Sequence, residues 1–288
     1  MIKRTIKYNC PQQLPAEACS SVGGPRNGSY EAPIVYINPD NTNQTLPMVA
    51  NVKDVDSDFQ KNPCSELKKF NTNNAIQQTL RILKEQSSGQ AEHGNYISET
   101  TNSVGATYLS FPVIPQNPNN PNQLDITAGL TTGKVKGAMH CHTNPATTGM
   151  IPMFSAADFA ALYGIADAHV PANNAEKDYA EYTVILSVGS GHYALKFKSF
   201  DGNYAIFNEK ITDFQKNLKK DCKKLGATAS SSQQIKTFLK NMNNSFVDAV
   251  GLYKATETTG SSGISNITGW KEQILNETGN DIIEINCP

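Results

Sequence analysis

The chain has 288 residues, a formal net charge of -1 and 38% hydrophobic residues, enough apolar material for a sizeable core in one large domain or one domain with appendages. So neutral a balance leaves no electrostatic footprint for nucleic acid, and no run of about 18 apolar residues offers a membrane span. The opening "MIKRTIKYNCPQQLPAEAC" has basic residues but no apolar h-region, so it is not read as a signal peptide; a cytoplasmic chain and a piece of a longer secreted or surface protein both remain open.

Residues 1–60 are expected to form an irregular arm. "GGPRNGS" and "NPDNTNQTLP" are turn chemistry, with "APIVYI" between them as a short strand candidate. The domain proper is placed at residues 61–288. In "NPCSELKKFNTNNAIQQTLRILKEQ", Leu67, Phe70, Ile76, Leu80 and Leu83 recur at helical spacing and Asn62 or Ser65 can cap, which predicts two helical segments. "EHGNYISETT", "ATYLSFPVIP" and "QLDITAG" read as short strands, and "KVKGAMHCH" as a further one.

"SAADFAALYGIADAHV" predicts a helix. Ser155 is its N-cap, Asp158 occupies N3 as in a capping box, and Phe159, Leu162 and Ile165 share a face. "YTVILSVGSGHYALKFKS" is a hairpin around Gly189-Ser190-Gly191, a turn and not a phosphate loop because no helix follows it directly. "GNYAIFN" is expected to add a strand. "ITDFQKNLKKDCKKLG" and "SQQIKTFLKNMNNSFVDAV" predict helices, with the lysines between Lys210 and Lys224 on a solvated face. "VGLYKAT" and "DIIEINC" close the chain as strands. The order of elements predicts an α/β or α+β sheet domain.

The six cysteines, Cys10, Cys19, Cys64, Cys141, Cys222 and Cys287, are scattered and form no CxxC. Cys10 and Cys19 are near enough for a small disulfide loop; most of the six are expected to be ordinary thiols.

Only five histidines occur, and two of them, His140 and His142, stand one residue apart at the end of a predicted strand. Successive strand side chains alternate faces, so these two point the same way. Their imidazoles can then share one metal ion, and Asp158 on the first turn of the next helix can fold back beside them. Two histidines and one aspartate leave the fourth place of a tetrahedral zinc site open, a catalytic count. The plainer reading is a pair of histidines on a solvated face followed by an ordinary capped helix. Cys141, between them, is expected to point into the core as a buried thiol. His93, His169 and His192 are expected to be structural or exposed.

"HCHTNP" followed by "FSAAD" resembles the signature of the JAB1/MPN/Mov34 metalloenzymes, the JAMM motif: a distant Glu, then His-x-His-Pro, then Ser-x-x-Asp. The resemblance covers mainly residues 65–200. It departs from the pattern in two loop features, Pro145 lying three positions after His142 and Ser155 lying 13 positions after it. The resemblance implies a mixed sheet flanked by helices in a cytidine-deaminase-like three-layer arrangement, with an N-terminal arm and a C-terminal helical extension outside it. It implies His140, His142 and Asp158 as zinc ligands. Ser155 would bond the metal's water or steady an oxyanion. "EHGNYI" matches the context of the family's Glu and makes Glu92 the implied proton acceptor, with Glu99 the rival and Glu85 an outsider.

The expected function is zinc-dependent cleavage of a peptide or isopeptide bond in a peptide or protein substrate. Its rivals are a peptide-binding scaffold on the same fold, a phosphodiesterase or deaminase using His-x-His, and a secreted structural domain carrying the motif by accident. The absence of a Pro-Cys-x-x-Cys speaks against a deaminase.

Overall fold

A computed structural model describes residues 62–126, 130, 134–143, 153–169, 179–200, 204–225, 229–246, 249–261 and 263–288, with four short strands in the first sixty residues. The chain divides into two compact units, Met1–Gln60 and Lys61–Pro288. In the first, β1 (Arg4–Lys7) pairs antiparallel with β2 (Asn27–Tyr30), and β3 (Val35–Tyr36) with β4 (Leu46–Pro47). Cys10 and Cys19 lie outside the described residues.

The second unit is mixed α/β. It begins with two helices, α1 (Pro63–Asn71) and α2 (Asn74–Gln86). Asn62 caps α1 by accepting from the Cys64 N–H, and Asn73 caps α2 by accepting from Ala75 and Ile76. The second cap is what breaks the predicted helical stretch in two. Next come β5 (Gly94–Thr101), β6 (Thr107–Ser110), a ribbon of β7 (Gln116–Asn117) and β8 (Asn120–Leu124), and β9 (Lys134–Cys141). Helix α3 (Ala156–His169) leads to the hairpin β10 (Thr183–Val188) and β11 (Gly191–Phe197). Helices α4 (Tyr204–Leu225) and α5 (Ser231–Phe246) precede β12 (Val250–Thr259), β13 (Ser265–Leu275) and β14 (Ile282–Asn286).

Eight strands make one sheet in the order β14-β13-β12-β11-β10-β9-β5-β6. All its pairings are antiparallel except β9 with β10. That parallel pair needs a crossover, and α3 supplies it. The helices cover both faces. Leu67, Phe70, Ile76, Leu80 and Leu83 of α1 and α2 pack on Ile97, Met139, Cys141, Ile185, Ala194, Tyr253 and Trp270. Helices α3, α4 and α5 pack through Phe159, Leu162, Phe214, Phe238 and Phe246 on Ala138, Val184, Leu186, Leu195 and Leu252. Every residue of β10 and β11 is buried, as expected for central strands covered twice. No helix among the described residues is long and apolar enough to cross a membrane.

Three expectations are corrected. "GNYAIFN" is not a strand: Tyr204 opens α4, in which Phe207, Ile211, Phe214 and Leu218 form one buried stripe. The helical period carried through Leu218 overrides the β-favouring local composition. The C-terminal third is helical only in part: α4 and α5 form as expected, but β12, β13 and β14 after them belong to the central sheet; β13, with its interior Gly269 and adjacent Lys271 and Glu272, escaped notice in the sequence. Cys64 and Cys287 are not thiols but a disulfide across a separation of 223 residues. The Cys287 N–H donates to the Trp270 carbonyl, which extends the β13–β14 pairing and brings the cysteine to the first turn of α1. Cys141 and Cys222 remain free.

Candidate metal centre

The site forms where β9 ends. From Gly137 onward β9 alternates: Ala138 joins the core under α3, while Met139 and Cys141 join the core under α1 and α2. His140 therefore faces α3, and His142, one residue beyond the strand, keeps the same side. The two Nε2 atoms are 3.2 Å apart. Cys141 is fully buried on the opposite face, where burial pushes its thiol up to about 11. It is no partner for the imidazoles.

Helix α3 brings Asp158 to the pair. The Asp158 Oδ1 is 2.9 Å from His140 Nε2, and its Oδ2 is 3.5 Å from His142 Nε2. The backbone N–H of Ser155 donates to Oδ2 at 2.6 Å and the Ser155 hydroxyl donates to the same oxygen at 2.9 Å. The first of these is the capping-box bond expected of an acid at N3. Burial by itself would raise the Asp158 pKa; the charge and hydrogen bonds of His140 and His142 outweigh it and hold the carboxyl well below its usual range.

His140, His142, Asp158 and Glu92 are exposed by only 1, 4, 3 and 7%. Among the described residues neither carboxylate pairs with a lysine or arginine. Buried carboxylates need a compensating cation, which either the two imidazoles in protonated form or a bound metal ion supplies here. One ligand atom from each of His140, His142 and Asp158 lies within 4.8 Å of the others. Bonds of about 2.0–2.1 Å in a tetrahedral set put neighbouring ligand atoms about 3.3 Å apart. His140 Nε2 stands 2.9 Å from Asp158 Oδ1 and 3.2 Å from His142 Nε2, and Oδ2 stands 3.5 Å from His142 Nε2, so the donors lie near that spacing, each histidine meeting its own Asp158 oxygen. The donor set, imidazole nitrogen with carboxylate oxygen, fits a divalent ion of the zinc type.

Glu92 precedes β5, and its Oε1 is 3.8 Å from His142 Nε2. Its other oxygen accepts from the Leu124 N–H at 3.3 Å, and its carbonyl accepts from the Gln116 side chain at 2.7 Å. The β7–β8 ribbon thus holds Glu92 at the pair. Gly94 makes this possible: it sits opposite His140, and a Cβ there would meet Leu124 Cδ1 at 2.7 Å and the Met139 carbonyl at 2.8 Å. Glu99 lies opposite Lys134, about 20 Å from His140 at strand rise; the rival acid is at the wrong end of the sheet.

Sequence reasoning did not find Gln116 or Leu124, because their roles exist only once the ribbon folds over the Glu92 backbone. Nor did it find a second polar group on the far face. There the Ser187 hydroxyl bonds His192 Nδ1 at 2.8 Å, His192 Nε2 is 3.9 Å from Glu257, and Lys84 bonds Glu257 at 2.8 Å. His93 is exposed, and Lys216, Lys219, Lys220, Lys223 and Lys224 line an exposed face of α4. Pro145 and the rest of residues 144–152 lie outside the described residues. No protein-family model matches the chain, and no curated protein or solved structure matches it.

Proposed function

We propose that the chain is a zinc-dependent hydrolase of the JAMM type, acting on peptide or isopeptide bonds. The observation that carries this reading is the convergence of His140, His142 and Asp158 with Glu92 beside them, all four buried. When bound, zinc supplies Lewis acidity that polarises a carbonyl and acidifies water. His140 and His142 hold their nitrogens on one side of the strand end, and Asp158 closes the set from α3. Glu92, fixed by Leu124 and Gln116, takes the proton of the attacking water at Oε1 and delivers it to the leaving nitrogen. Packing around the four side chains keeps bulk water from screening their charges.

The test is metal analysis of the purified chain together with turnover of peptide and isopeptide substrates. About one zinc per chain is expected, lost in His142→Ala, with hydrolysis that follows the zinc content. A chain that takes up no zinc even after reconstitution ends the proposal. One observation favours a second reading, a metal-holding peptide-binding module without turnover: the Ser155 hydroxyl is engaged by Asp158. Stoichiometric zinc with no cleavage across a peptide and isopeptide panel would select that reading.

A further inference from the structure

We infer that Ser155 is a positioning residue that makes Asp158 a one-oxygen ligand and thereby sets which cation the site prefers; this rests on the metal site proposed above. Oδ2 of Asp158 receives two donors, the Ser155 N–H at 2.6 Å and the Ser155 hydroxyl at 2.9 Å. Both lone-pair directions of that oxygen are thereby occupied. Oδ1, which carries no Ser155 donor and stands 2.9 Å from His140 Nε2, is the oxygen left to offer a cation, while Oδ2 keeps only a 3.5 Å approach to His142 Nε2.

Helix capping does not account for the hydroxyl bond. A capping serine accepts, through its oxygen, from an N–H of the first turn. Here the Asp158 N–H donates to the Ser155 carbonyl at 3.1 Å, and the hydroxyl donates to the carboxylate instead. A hydroxyl has one proton. Spent on Oδ2, it does not also serve an oxyanion, which is the role the family resemblance implied for Ser155.

The consequence is a ligand count. With Asp158 held to one oxygen, the protein supplies two nitrogens and one oxygen, a set suited to tetrahedral zinc. Cations that demand six or more ligands, often with chelating carboxylates, are poorly served. Releasing Oδ2 lets Asp158 chelate through both oxygens, which raises the coordination number and favours manganese relative to zinc.

The experiment titrates the full chain, its Ser155→Gly variant and its Ser155→Thr variant with Zn²⁺ and Mn²⁺, and records the visible spectrum of each loaded with Co²⁺. Glycine keeps the backbone N–H and is a tolerable cap, so the helix start is little weakened. Expected is a loss of zinc affinity of about tenfold or more in Ser155→Gly, the usual effect of removing a group that orients a ligand. The zinc-over-manganese preference should narrow, and the cobalt bands should weaken as the coordination number rises. Ser155→Thr, which keeps the hydroxyl, should restore all three. If Ser155→Gly matches the wild type in affinity, preference and spectrum, the inference is overturned and the metal site stands. If Ser155→Thr fails to restore what Ser155→Gly loses, the hydroxyl is not the cause and the inference is likewise overturned. If the wild type takes up no zinc, the metal site itself is refuted and the inference goes with it.

Discussion

Phe159 stacks on Phe246, with ring centroids 4.5 Å apart and planes 11° from parallel, and it is the residue directly after Asp158. Phe159 also touches Phe214 at 4.7 Å. One turn of α3 therefore does two jobs. Its aromatic side anchors the helix to α4 and α5, and its acidic side meets the histidines of β9. The position of Asp158 is set by packing two helices away.

Phe159→Ala should cost about 3–5 kcal/mol, the usual range for emptying a fully buried aromatic site. Zinc affinity should fall with it, because α3 loses the contact that fixes its first turn. Urea unfolding with and without zinc, on the same samples, measures both. Stability lost with unchanged zinc affinity would show that Asp158 is held by Ser155 and the histidines alone.

Glu92→Gln should leave zinc binding intact and lower kcat by roughly 10²- to 10⁴-fold, the contribution of a positioned proton acceptor. The amide retains an oxygen for the Leu124 N–H, so the ribbon should stay in place. A large drop in zinc affinity would instead make Glu92 a metal ligand. Unchanged turnover would remove it from the chemistry.

The Cys64–Cys287 disulfide closes nearly the whole second unit into a loop, with a separation of 223 residues. In the chain-entropy account a loop of that length stabilises by about 5 kcal/mol. Cys64→Ser should therefore lower the denaturation midpoint strongly. Reducing agent should do the same to the wild type and add nothing in the variant. Equal sensitivity to reductant in both would place the effect at another cysteine pair.

His192 should make stability fall in mild acid. Burial pushes its pKa down to about 4, the nearby Glu257 opposing this and Lys84 adding to it. An unfolded histidine titrates near 6.5. Between those values the unfolded chain binds the proton and the folded chain does not, so stability is full above about pH 6.5 and is lost as pH falls toward 4. The loss approaches roughly 3 kcal/mol at one pKa unit per 1.36 kcal/mol. His192→Gln, compared with wild type by denaturant unfolding across this window, should show a shallower decline. Parallel curves would mean that other groups carry the acid sensitivity.

Much of this molecule can be read along the chain because its signals are local. Leu67, Phe70, Ile76, Leu80 and Leu83 keep a helical period, and all five are buried as that period requires. The alternation of a strand puts His140 and His142 on one side and Cys141 on the other. The Ser155–Asp158 capping box sits where the helix begins. Each of these depends on the geometry of fewer than about twenty neighbouring residues.

What the fold decided lies between segments far apart in sequence. The strand-like composition of "NYAIF" yielded to the stripe of Phe207, Ile211, Phe214 and Leu218 once α4 found α3 and α5 to pack on. Cys64 met Cys287 because α1 packs against β13 and the Cys287 N–H bonds the Trp270 carbonyl of that strand. That Glu92, and not Glu99, lies beside the histidines followed from the antiparallel register of β5 on β9, which sets Gly94 against His140 and Glu99 against Lys134. Backbone periodicity fixes which way a side chain points, and the sequence carries it; which side chains then meet depends on strand register and layer packing, which arise only when the whole chain has closed on itself.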